Sequence, residues 1–244
     1  IAVDKSGNIY VTERVNHTVR KITPAGVVTT LAGTAGVVGT ADGTGTAARF
    51  NAPTGIGVDT LGNVYVADTY NYTLRKITPS GVVSTLVGVD GTAGSSDGAG
   101  QSARLRNPNG VAVDLAGNIY IADGIDATIR KVTPAGYATT IAGLAGLRGT
   151  VDGVGADARL HTPYDIAVTP SGDLLISDVV AFVIRKATFL APPQIGVHPS
   201  DTTVNVGANA TFAINAVGTA PLSYQWQAQP AGQSTWTNMF DLVS

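Results

Sequence analysis

Residues 53–77 read PTGIGVDTLGNVYVADTYNYTLRKI, and 55 positions later, at 108–132, the chain reads PNGVAVDLAGNIYIADGIDATIRKV. The same text opens the chain at Ile1 as IAVDKSGNIYVTERVNHTVRKI and returns at Pro163 as PYDIAVTPSGDLLISDVVAFVIRKA. Aligned without a gap, the first two rows of 55 agree at 29 positions, so these are true internal repeats. Each row alternates β-branched and polar residues in short runs. Turns with a stated mechanism part the runs: Gly7-Asn8 supplies a positive φ, and Pro24-Ala25-Gly26 combines a preset φ with a glycine. In the first row this predicts strands at Ile1–Asp4, Ile9–Glu13, Thr18–Ile22 and Val27–Leu31. Repeats of four strands with no helical period are the pattern of propeller blades.

The motif P-x-G-I-A-V-D-x-x-G-N-I-Y-V-A-D-x-x-N-x-x-I-R-K-I resembles the NHL repeat, and the likeness runs from Ile1 to Leu190. The long stretch between rows, T-L-A-G followed by D-G-x-G-x-x-A-R, resembles bacterial members of that family. The resemblance implies a β-propeller, here with three complete rows and a fourth lacking its last strand. From Ala191 the composition changes. APPQIGVHPSDTTVNVGANATFAINAVGTAPLSYQWQ resembles the start of a bacterial immunoglobulin-like domain. Pro192-Pro193 would be the linker, Thr203–Val206, Ala210–Ala216 and Leu222–Gln227 strands, and Trp226 the core tryptophan. The expected fold is all-β: a propeller of four-stranded blades over 1–190 and part of an immunoglobulin-like sandwich over 191–244.

Composition narrows the function. Among 244 residues there are 30 Gly, 12 Pro and no Cys, with 13% charged residues and a net charge of −2. Disulfide scaffolds and thiolate sites are excluded. No apolar run is long enough to span a bilayer, and no basic footprint points to nucleic acid. Ile1 is not a methionine, and no secretory leader is visible, so a fragment or processed product is expected. Open blades leave unpaired strand edges, which predicts a homo-oligomer in which partial propellers complete each other.

Alternation of turns places the tight Gly-Asn and Pro-x-Gly turns on one face. The loop after each second strand and the long inter-row loop share the other, where sites on rigid frames usually lie. That face carries Asp42, Asp97 and Asp152 within D-G stretches, as cation ligands or as turn caps. Arg49, Arg104 and Arg159 are candidate binding residues, or ties to the neighbouring blade. Glu13, Asp68, Asp123 and Asp178 end the second strands and are followed by Asn16, Asn71 and Asp126. Asp68, Asp123 and Asp178 are the candidate metal ligands; Asn71 and Asp126 are candidate binding residues. The Arg-Lys pairs of the third strands (Arg20, Arg75, Arg130, Arg185) read as a solvated face. Departures from the repeat are more telling. One register reads Asn51, Arg106, His161, and another Gly55, Gly110, Asp165. The fourth row thus holds H-T-P-Y-D at the expected channel mouth. His161 would act as base or metal ligand, Asp165 would orient it, Tyr164 would position a ligand, and His17 would approach from the adjacent loop.

These features support a secreted or cell-surface bacterial module that binds a protein, peptide, glycan or small molecule on its long-loop face. The alternative is a metal-dependent hydrolase, because NHL propellers are similar to calcium-dependent lactonase and phosphotriesterase propellers. It would use a divalent cation, calcium or zinc, as Lewis acid.

Overall fold

The computed structural model describes residues 1–189 and, in the C-terminal part, 194–197, 199–213, 215–217, 225–229, 232 and 234–239. The chain divides into two compact units, Ile1–Thr188 and Phe189–Ser244.

The first unit is a β-propeller arc of four blades. Blade one holds β1 (Ala2–Val3), β2 (Ile9–Glu13), β3 (Thr18–Ile22) and β4 (Val28–Ala32) in that order. Blade two is built from β5 (Gly43–Thr44), β6 (Pro53–Val58), β7 (Val64–Asp68), β8 (Thr73–Ile77) and β9 (Val82–Gly88). Blade three repeats it with β10 (Gly98–Ala99), β11 (Pro108–Val113), β12 (Ile119–Asp123), β13 (Thr128–Val132) and β14 (Tyr137–Ala142). Among the described residues, blade four has β15 (Pro163–Val168), β16 (Leu174–Asp178) and β17 (Val183–Ala187). Blades two and three therefore carry a fifth strand that the repeat does not announce. The D-G segment of each of the first two inter-blade loops pairs with the outer strand of the blade that follows, β5 with β9 and β10 with β14.

Strand alternation explains why the blades stack. Ile56, Val64, Val66, Ile77 and Val83 point to one side of blade two and pack on Tyr10, Val19, Ala32 and Phe50. Tyr65, Ala67, Leu74 and Val87 point to the other and meet Val111, Ile119, Ile121 and Val132 of blade three. A third cluster of the same kind joins Tyr120, Ala122 and Ile129 to Ile166, Leu174 and Ile176 of blade four. The inner strands β1, β6, β11 and β15 neighbour one another around the axis. On blade four the side that would face a further blade is bare, and Ile184 is 70% exposed where its counterpart Leu74 is fully buried.

In the second unit, β18 (Gln194–Val197) pairs with β19 (Asn215–Val217), and β20 (Gln227–Ala228) with β21 (Thr237–Asn238). This differs from expectation. Thr203–Val206 is not in a strand, and Trp226 is 38% exposed rather than a core residue. The Pro192-Pro193 linker and parts of the other two expected strands lie outside the described residues.

Candidate functional site

The repeated carboxylates come first, because the structure gives them work inside the blade. Asp68 ends β7 and is fully buried. Its Oδ1 accepts the Asn51 N–H at 2.7 Å, and its Oδ2 accepts Asn71 Nδ2 at 2.8 Å and Arg75 at 2.9 Å. Arg75, 1% exposed, also donates to the Arg49 and Ala41 carbonyls and to Asp42 at 2.6 Å, and lies over the Phe50 ring. Blade three repeats the clasp: buried Arg130 reaches Asp97, the Ser96 carbonyl and the Arg104 carbonyl. The arginines of the third strands are therefore inter-blade rivets, not the solvated face their Arg-Lys spacing suggests. Only Arg20 of blade one, which pairs with Glu13 and donates to the Thr29 carbonyl, keeps a third of its side chain in solvent.

Asp123 accepts the N–H groups of Arg106 and Asn107, and Asp178 those of His161 and Thr162. Each of these carboxylates thus pins the chain entering its own blade's first strand. They stand one per blade, with lone pairs taken by N–H donors. No group of three His, Asp or Glu side chains suited to a metal ion exists among the described residues. Asp42 and Asp97 likewise serve as inter-blade anchors, each bonding the next blade's arginine and a threonine of its fourth strand, Thr85 or Thr140.

Other expected site residues also turn inward. Arg49 folds over its own loop, donating to the Thr46 and Ala48 carbonyls and to Thr34, and Arg104 and Arg159 do the same to the carbonyls of Ala103 and Ala158. They brace their own loops rather than presenting to a ligand. Asn71 is buried between Asp68 and the Gly39 carbonyl. His17 accepts the Ala52 N–H on Nδ1 at 3.0 Å, which ties its loop to blade two.

What the repeat does not require collects at the junction of blades three and four. Arg106 pairs with Asp126 at 3.0 Å. Beside them Arg148, exposed, reaches the Ile125 carbonyl at 3.3 Å and Thr162 at 3.2 Å. Thr162 meets His161 Nδ1 at 3.1 Å. Tyr164, 47% exposed, follows. Gly124 replaces Thr69 of blade two; a Cβ there would lie 2.7 Å from Asn109 Nδ2, so glycine makes room for the Asn109–Asn107 hydrogen bond. The cluster therefore offers two guanidinium groups, an imidazole, a phenol and side-chain amides on one loop face. No hydrogen bond joins His161 to Asp165, whose Oδ1 instead accepts the Ile166 N–H. The expected acid–base pair is not assembled. Arg148 was overlooked in the sequence; the signal was present at its register, which reads Val38, Ala93, Arg148.

Asp126 is the odd member. At the register of Asn71 it has no amide to give, and its buried Oδ2 has no hydrogen-bond partner among the described residues. Burial holds its carboxyl above the usual range, against Arg106 and Arg130. Burial, with the Asp126 charge adding to it, pushes Asp123 up to about 6. A carboxylate with a raised folded pKa stabilises below its unfolded pKa and loses that contribution as pH rises through the folded value. Asp126→Asn restores the amide of blade two and removes one charge. The expected gain is about 1 kcal/mol at pH 7, shrinking as pH falls from 6 toward 4, read by urea unfolding at both ends of that window.

The opposite end of the arc holds a cavity of about 670 Å³ lined by Val3, Val58, Val113 and Val168 and by the turns at Asp4, Asp59 and Asp114. Its carboxylates are spent locally: Asp59 accepts from Leu61, Asn63 and Tyr65. That end offers valines and closed turns, with Lys5 and Thr60 among its polar lining.

Residues 50–77 match the family model of the NHL repeat. Over 92 residues the chain is 34% identical to the protein SUPPRESSOR OF QUENCHING 1, chloroplastic, of Arabidopsis thaliana, a match covering 37% of this chain and 9% of that protein. Among solved structures, a Bacteroides thetaiotaomicron protein of unknown function is 27% identical at a TM-score of 0.64, over 76% of this chain and 45% of that one. An auxiliary nutrient binding protein from the same species is 20% identical at a TM-score of 0.59, over 75% of this chain and 46% of that one. The chain thus spans under half the length of these solved structures.

Proposed function

We propose that the chain is the ligand-binding part of a secreted or cell-surface bacterial propeller, with its site on the long-loop face where blades three and four meet. One observation carries the reading: Arg106, Asp126, Arg148, His161 and Tyr164 depart from the repeat, and contacts through Ile125 and Thr162 link the first four, with Tyr164 two residues beyond Thr162. Residues that repeat in every blade hold blades together; residues that do not are free for recognition. Guanidinium groups beside a phenol and an imidazole suit a polar ligand that accepts hydrogen bonds and offers a face for stacking, such as a glycan or an acidic peptide. The nutrient-binding name of a structural neighbour supports this reading and an extracellular place for it. Residues 191–244 would then begin an accessory immunoglobulin-like module.

Metal-assisted hydrolysis is the weaker reading. A calcium or zinc ion would need ligands beyond Asp68, Asp123 and Asp178, whose oxygens are already engaged. Hydrolysis of lactones or esters that stops on adding chelator would restore it.

The test is binding to oligosaccharide and peptide arrays. Arg148→Ala and Tyr164→Ala are expected each to weaken the captured ligand about tenfold, while Tm stays within about 1 °C because both side chains are exposed. Binding by both variants as tight as that of the unchanged chain would overturn the site. Self-association through the open edges of blades one and four belongs to the same proposal, and a monomer in light scattering at micromolar concentration contradicts it.

A further inference from the structure

We infer that blade four carries a strand-sized slot that captures an extended peptide in place of its missing fourth strand. Blades two and three show what such a slot holds. There the fourth strand lies between the third strand and the short strand of the preceding loop, as β9 lies between β8 and β5 and β14 between β13 and β10. Three contacts fix its register. The aspartate of the loop bonds a threonine in the middle of the strand: Asp42 to Thr85, Asp97 to Thr140. The first residue of the loop's 3-10 turn donates to the glycine carbonyl just before the strand: Gly45 to Gly81, Gly100 to Gly136. The glycine ending the strand runs sits on a carbonyl of a left-handed residue. A Cβ on Gly88 would lie 2.4 Å from the Tyr72 carbonyl oxygen, and one on Gly143 2.2 Å from that of Ala127.

Blade four keeps the receiving half of all three contacts. Asp152 is held by Arg185, like its counterparts, yet its side chain is 98% exposed, against 52% for Asp42 and 44% for Asp97. Gly155 opens the same 3-10 turn in the same left-handed conformation. Phe182 has the left-handed φ of Tyr72 and Ala127 and lies open to solvent. Among the described residues no strand pairs with the outer edge of β17. The slot therefore has a free strand edge on one side and a set loop on the other.

The occupant is an extended peptide with a small aliphatic residue, Thr two positions later, Leu or Ile next, and Gly three positions after the Thr. This is the shared text of Val83–Gly88, Ala138–Gly143 and Val28–Gly33. Main-chain pairing with β17 gives affinity, and the Thr and Gly positions give selectivity. The partner donates the strand in trans, as a segment of another polypeptide.

The test uses the whole chain and a fluorescent peptide of residues 81–88, GVVSTLVG, with a lysine tail for solubility. Anisotropy is expected to show saturable binding. Thr85→Val in the peptide, or Asp152→Ala in the protein, is expected to weaken it about tenfold, the effect of losing a hydrogen bond to a charged group. Gly88→Val in the peptide is expected to abolish it. Because Asp152 is exposed, its replacement leaves the fold intact, which an unchanged melting curve confirms. No binding, or binding that tolerates Gly88→Val or Asp152→Ala, overturns the inference; the latter points to generic pairing with an open edge. The loop-face ligand site is unaffected by either outcome, since it uses none of these residues.

Discussion

Arg75→Ala is expected to lower stability by about 3–5 kcal/mol, because it strands the fully buried Asp68 without its counter-charge. For a chain of this size that corresponds to a fall in Tm on the order of 10 °C. The guanidinium also holds two carbonyls of the inter-blade loop and Asp42, so the loop loosens with it. Burial already pushes Asp68 up to about 6, against the pull of Asn51, Asn71 and Arg75. Without Arg75 the carboxyl is driven further toward its neutral form, so the deficit is expected to be smaller at pH 5 than at pH 8. Arg20→Ala supplies the internal comparison. It removes the same residue of the repeat, but from a half-exposed pair with Glu13, and is expected to cost under about 1 kcal/mol. Circular-dichroism melting of the two variants side by side reads the difference; equal losses would mean that the clasp is not what joins the blades.

The second large effect is steric. Gly55 lies on an inner strand where blade two meets blade three, and a Cβ there would fall 2.0 Å from the Asn109 carbonyl oxygen and 2.7 Å from the Val111 nitrogen. Both obstacles are backbone, so the strands themselves must part. Gly55→Ala is expected to cost about 3 kcal/mol or more, by overpacking a contact that cannot relax through a rotamer change. Two residues on, a Cβ at Gly57 would be 2.9 Å from a methyl of Val113, the end of a side chain that can turn away. Gly57→Ala is therefore expected to cost under about 1 kcal/mol. Urea midpoints for the pair test whether glycine sets the spacing between blades.

This contrast shows what could be read in the sequence and what could not. Strand limits came through well: β2 and β3 fall at the residues that alternation and turn chemistry predict, and β4 is displaced by one residue. The repeat also pointed to Gly55 and Gly110, but the cause is a neighbouring blade 55 residues away, invisible to any local pattern. The same limit misassigned Arg75 and Arg130. An Arg-Lys pair in a strand reads as solvent-facing, and only the arrival of Asp42 or Asp97 from the preceding loop makes the arginine a core residue. Asp68 and Asp123 were legible as important and misread in role, because a carboxylate that grips its own backbone and one that grips a metal are the same letter. At the mouth, the departures at His161 and Tyr164 were readable from their registers. Asp126 was readable in the same way, at the register of Asn71; only the loops in place show that Arg148 reaches the same junction.

Hydrogen exchange with and without a captured ligand tests the central claim, that the non-repeating residues at the junction of blades three and four form the recognition face. The expected result is protection confined to segments 105–109, 124–127, 147–149 and 161–165, absent in Arg148→Ala. Protection at the valine-lined cavity beside Asp4, Asp59 and Asp114, with the loop face unchanged, would contradict it.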